Sequence, residues 1–308
     1  MYHVDNLFNI IEMKKIRPYI LPIAIIFGLF FHKYCAVLKV VVPYLVFCIL
    51  FLNFVAVKLK NLRMCFMDIY LIMFQITVSI GMYFILKLLG FDEIVAQSVL
   101  VGVLCPVAAS VVVIAGMLGA NKETLTTYAI MGNLMVAVVA PIYFSFIGVH
   151  QDMPFWTSFL IILKKIGGVI ALPFFVAWIL EQYFKKESDR IAKFSGLSFY
   201  LWAMALCITI GQTIDFLMLS KKDDLDIILW IAVFSLIFCV IQFGVGRKLG
   251  KHYGDVVAGG QLLGQKNTAI GIWMATTYLN PLASLFPALY SVWQNVFNSW
   301  QLWRYKKS

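Results

Sequence analysis

The chain has 308 residues, of which 62% are hydrophobic and 13% charged. A soluble globule of this composition would lack the polar surface to cover itself, so the sequence predicts a polytopic helical membrane protein with no soluble domain left over. The net charge of +10 needs no nucleic-acid partner, because the basic residues gather in loops between apolar runs.

The N-terminal stretch "MYHVDNLFNIIEMKKIRPYILPIAIIFGLFF" has basic residues before an apolar run but no small-x-small cleavage site, which predicts a retained first span. Apolar runs of about 20 residues match a hydrocarbon core of about 30 Å. They predict spans at roughly 18–31, 38–57, 66–89, 94–118, 124–147, 164–180, 194–219, 226–246, 256–279 and 281–303. Residues 155–163, "FWTSFLIIL", read as an interfacial helix leading into the sixth span, which leaves Lys164 and Lys165 at the membrane edge.

Seventeen Lys and Arg fall on the side of both termini and seven on the other. The positive-inside rule then puts both termini in the cytoplasm of a cell whose inner membrane, by expectation bacterial, holds the chain. The one basic residue outside loops and edges is Lys266, in the stretch "GGQLLGQKNTAIG".

The chain also resembles itself. A shift of 162 lays "EIVAQSVLVG" (93–102) on "DVVAGGQLLG" (255–264), and a shift of 150 lays "KKIRPYI" (14–20) on "KKIGGVI" (164–170). These pair span four with span nine and span one with span six. Partners five spans apart must be inverted in the membrane. The expected fold class is therefore all-α, with ten transmembrane helices as two inverted five-helix repeats, 18–149 and 155–303. A 1–17 segment precedes them and a 304–308 tail follows.

Both paired spans carry a break signal. Span four has Pro106, which removes a backbone donor; span nine has Gly259, Gly260 and Gly264 followed by Gln265, Lys266 and Asn267. Paired interruptions point to a binding site near the bilayer midplane. Gln261, Gln265 and Asn267 would partner unwound backbone there.

Little else carries chemistry. The six cysteines are scattered without CxxC spacing, and the four histidines lie in polar loops or at their edges. Neither a metal site nor a cofactor is expected, and no paired carboxylates suggest an enzyme.

The run "NPLASLFPALYSVWQNVFNSW" carries Pro281, Leu282, Ala283, Pro287, Ala288, Ser291, Val292, Trp293 and Asn295, and with "FDEIVAQSVLVGVLCPVAAS" and Gln75 of "FQI" it resembles the bile acid:sodium symporter superfamily. The likeness runs from about residue 18 to 303. It implies a panel of spans 1, 2, 6 and 7, and a core of spans 3–5 and 8–10 in which broken spans four and nine cross. The family's span-nine motif, acidic-x-Gly-x-Gln-Asn, has Leu262 at the acidic position and Lys266 at the glutamine. Of the implied sodium-site positions, Gln75, Ser110 and Asn267 keep a matching type.

Sodium coupling is therefore not expected. The acids of the broken spans, Glu93 and Asp255, lie near their starts, whereas a midplane sodium needs oxygen ligands and a carboxylate. Lys266 is expected to stand in for a bound cation; an ammonium that gives up its proton when the site opens would couple transport to protons. The alternative role is structural, with Lys266 bonding the carbonyls of the broken helices. Helix N-termini near Ala108 and Thr268, together with Lys266, suit a small or amphipathic organic anion. Ser110, Thr127 and Asn133 are candidates to line its cavity or to bond between helices. Asp215, one turn from Gln212, suits an interfacial role better than coupling. Cys105 beside Pro106 leaves an arsenite-type permease as a weaker alternative, and a transport-inactive sensor or scaffold of the same fold is another.

Overall fold

The computed structural model describes residues 19, 22–23, 26–57, 62, 64–108, 111–149, 153–219 and 224–305. Among them the chain is helical, without strands. Its helices are α1 (residues 26–38), α2 (Val42–Val55), α3 (Phe66–Leu88), α4 (Glu93–Leu104), α5 (Val111–Met117), α6 (Lys122–Ile147) and α7 (Phe155–Tyr183). They continue with α8 (Lys185–Ala192), α9 (Leu197–Leu219), α10 (Leu225–His252), α11 (Val256–Gly264), α12 (Thr268–Tyr278) and α13 (Leu285–Tyr305). Short 3-10 turns at Lys39–Val41 and Pro281–Ser284 precede α2 and α13.

Among the described residues six elements are long and apolar enough to cross a membrane: Ile26–Val55 through its 3-10 turn, α3, Glu123–Ile147, α7, Leu197–Met218 and α10. Only 28%, 22% and 33% of the most apolar windows of α3, α7 and α10 are buried. Their remaining apolar surface faces outward, as a bilayer-facing shell requires. The short helices α4 and α11 show the opposite. In α4 every residue from Val95 to Leu104 is buried, as is Ala258 to Gly264 in α11. A helix apolar all round belongs inside, and here the shell of long helices encloses the short ones.

Local signals place the helix starts. Asp92, Asn121 and Asp255 accept from backbone N–H groups at the starts of α4, α6 and α11. Asp68 closes a capping box with Cys65 at the start of α3. Between α10 and α11 the chain reverses through Gly254, whose φ of 85° suits glycine. The two backbones then touch: a Cβ on Gly259 would strike the Gly246 carbonyl and lie 2.7 Å from Gly250 Cα.

Residues 155–163 are helical and lead without interruption into the rest of α7, which runs 29 residues from Phe155. Nothing between Pro154 and Pro173 breaks a helix, and the charges of Lys164 and Lys165 do not stop one. The first two spans are expected to part within 32–37, but Ile26–Val55 runs as one 30-residue element whose only irregularity is the 3-10 turn at Lys39–Val41. His32 and Lys33 continue α1, and α2 restarts with Pro43 in its first turn, where the missing N–H costs nothing.

Candidate functional site at the meeting of two helix breaks

Helix α4 stops at Leu104 because Pro106 supplies no N–H and pushes Cys105 out of the helical region, to φ −45° and ψ 131°. Helix α11 stops at Gly264; Gln265 is extended, and Asn267 caps α12 by accepting from Ile270 N–H. The two breaks meet. Val107 and Lys266 pair as an isolated antiparallel bridge. On either side of it, Ala108 N–H donates to the Gln265 carbonyl at 3.0 Å and Asn267 N–H to the Pro106 carbonyl at 2.7 Å.

A helix end buried in an apolar core must find partners for its last carbonyls. Four consecutive carbonyls past the middle of α4 are taken by other elements. Lys266 Nζ donates to Val103 O at 3.1 Å, Gln75 Nε2 to Leu104 O at 2.7 Å and Cys105 O at 2.9 Å, and Pro106 O is the one held by Asn267. Tyr128 supports this from α6, its hydroxyl donating to Gln75 Oε1 at 3.2 Å.

The α11 break is held as fully. The Tyr290 hydroxyl donates to Gly264 O at 2.7 Å. Gln294 accepts from Lys266 N–H at 2.8 Å and donates to Lys266 O at 3.2 Å, and the Cys105 thiol donates to Asn267 O at 2.9 Å.

Lys266 is 2% exposed, and its ammonium lies at the C-terminal, negative end of α4, where a cation is stabilised. The positive end of α12 begins at Thr268, also buried. The other expected positive end is slight, since α5 has only seven residues.

The structure thus brings together Lys266, Asn267, Gln265, Thr268, Gln75, Pro106 and Gly264. Gln261 sits apart, donating to Asn298 Oδ1 at 2.9 Å and Gln301 Oε1 at 3.0 Å on α13. Asn133 donates to Ala129 O at 2.6 Å, while its Oδ1 finds no partner among the described residues. It lines a cavity of about 30 Å³ with Asn53 and Thr126, walled by Leu50, Phe54 and Ile130. That is room for about one water. Thr127 is buried in α6. Ser110 lies outside the described residues. Asp215 accepts from His32 Nδ1 at 2.6 Å, which ties α9 to α1 away from the breaks. Among the described residues no three His, Cys, Asp or Glu side chains are placed to hold a metal ion.

Sequence reasoning missed Gln294, Tyr290, Tyr128 and Asp68. The signal for α13 was present: Tyr290, Gln294, Asn298 and Gln301 recur at spacings of four, four and three, a polar stripe on an apolar helix. Asp68 is fully buried and accepts from Cys65 N–H at 3.0 Å through Oδ2. No protein-family model matches the chain, and no curated protein matches its sequence.

Proposed function

We propose that the chain is a secondary transporter of a small or amphipathic organic anion, a divergent relative of the bile acid:sodium symporter superfamily that works without sodium. Ten spans in two inverted repeats, 18–149 and 155–303, would form it, with both termini in the cytoplasm. The observation that carries this reading is the Lys266 ammonium on Val103 O, a fixed positive charge at the end of a broken helix, where a bound cation would otherwise sit.

Further pairs support the repeat. The shift of 162 also lays Tyr128 on Tyr290, and each hydroxyl bonds within the network around the breaks. It lays Asn133 on Asn295, and each donates its side-chain N–H to the carbonyl four residues back, at 2.6 and 2.7 Å. It lays Cys105 on Asn267, which are bonded to each other.

In this reading the cavity between α2 and α6 is the closed form of the substrate site. Asn53 stands on one side, and Thr126 and Asn133 on the other. Opening it separates the panel helix α2 from the core helix α6, and the unpaired Asn133 Oδ1 is free to accept from a substrate hydroxyl or amide.

The test is a thermal-shift screen of small carboxylates against purified protein in sodium and in choline, followed by flux of any hit into liposomes. Sodium-independent stabilisation with flux supports the proposal. Stabilisation that requires sodium overturns the role of Lys266, and binding without flux reassigns the chain as a sensor.

A further inference from the structure

Helix α7 carries a feature that the transport reading does not use. Its buried face is Ser158, Ile162, Ile166, Ile170, Pro173 and Ala177, the stripe that packs on α2 and α6. The opposite face runs Trp156, Leu160, Lys164, Gly168, Leu172, Phe175 and Ile179 at steps of four, four, four, four, three and four residues. Trp156 and Leu160 are 70% and 59% exposed, and Leu172, Phe175 and Ile179 are exposed as well. Lys164 therefore interrupts an outward apolar stripe, with Lys165 exposed beside it.

Neither lysine has an acidic partner among the described residues, where the ion pairs are His32–Asp215 and Lys87–Glu93. One turn further on, a Cβ added to Gly167 or Gly168 would meet nothing within 4 Å. The outer surface below the two charges is thus a notch.

Length sets the depth. With 29 residues, α7 is about 44 Å long, well beyond a hydrocarbon core of about 30 Å. The part from Lys165 to its end at Tyr183 is about 28 Å and spans that core alone. A helix anchored at Tyr183 therefore holds Lys164 and Lys165 at the level of lipid phosphates, with the glycine notch at the level of the first acyl carbons.

We infer that α7 holds an anionic phospholipid, its phosphate on Lys164 and Lys165 and one acyl chain against Gly167 and Gly168. The cations select the headgroup by charge, and the notch admits a chain that a larger side chain would displace. This site needs only that the chain lies in a bilayer; it stands or falls independently of transport.

Native mass spectrometry of the purified full chain, titrated with palmitoyl-oleoyl phosphatidylglycerol or phosphatidylcholine, tests it. Phosphatidylglycerol is expected to bind in preference, the preference falling about fivefold per lysine in Lys164→Gln and Lys165→Gln and surviving in the two arginine variants. Gly168→Leu should weaken phosphatidylglycerol binding with both lysines in place. Equal binding of the two lipids, or a double glutamine variant that keeps the wild-type preference, overturns the site. So does an equal effect of inorganic phosphate, or a cross-link that joins α7 of two copies through this face.

Discussion

The side-chain amide of Gln294 brackets the peptide of Lys266, accepting from its N–H at 2.8 Å and donating to its carbonyl at 3.2 Å. A single side chain thus does for this residue what a neighbouring strand would do, in a core where water cannot.

Replacing Gln294 with leucine leaves both groups of that peptide unpaired. Each costs about 1–3 kcal/mol when buried, so Gln294→Leu should lower stability by about 2–6 kcal/mol. A denaturant or thermal melt in detergent reads this directly. Gln294→Glu, which keeps the acceptor and loses the donor, should fall between the two.

Lys266→Gln exchanges a fixed cation for an amide oxygen. The wild type should melt at the same temperature in sodium and choline. The variant should gain a sodium-specific stabilisation of about 1.4 kcal/mol at ten times the ion's Kd. A variant indifferent to sodium removes the stand-in role and leaves Lys266 as a structural donor to Val103 O.

Gly259→Ala places a Cβ on the Gly246 carbonyl and beside the Gly250 backbone. No flexible side chain is there to yield, so α11 must part from α10. A loss of about 1–3 kcal/mol or more is expected, measured as reduced recovery of monodisperse protein and a lower Tm. Gly244→Ala, on the partner helix α10 with open space around it, should be neutral or slightly stabilising, since alanine favours a helix over glycine by about 1 kcal/mol.

Asn133→Leu removes an amide whose Oδ1 has no partner among the described residues. The melt should stay within about 1 kcal/mol of wild type or rise. The stabilisation that a carboxylate or other ligand gives to the wild type should disappear. Retained ligand response would move the site away from the α2–α6 cavity.

The two helix breaks were legible because proline and glycine act locally: Pro106 stops α4 and Gly264 precedes the unwound Gln265. What stayed hidden depends on which helices become neighbours. Gln75 reaches carbonyls 29 and 30 residues away and Gln294 reaches Lys266 across 28, and no spacing rule links them. Gln261 was assigned to the breaks on proximity in sequence, but its position on α11 turns it to Asn298 and Gln301.

The dense hydrogen bonding around Val107 and Lys266 acts as a rivet through the two broken helices. Their four halves travel as one block, since separating any two would expose several carbonyls at once to a medium without water. Relative motion is cheapest where polar bonds are sparse, along the mostly apolar seam of Leu50, Phe54 and Ile130. Under the transport proposal, sliding there exchanges one dispersion contact for another, and that seam would serve as the bearing surface of the molecule.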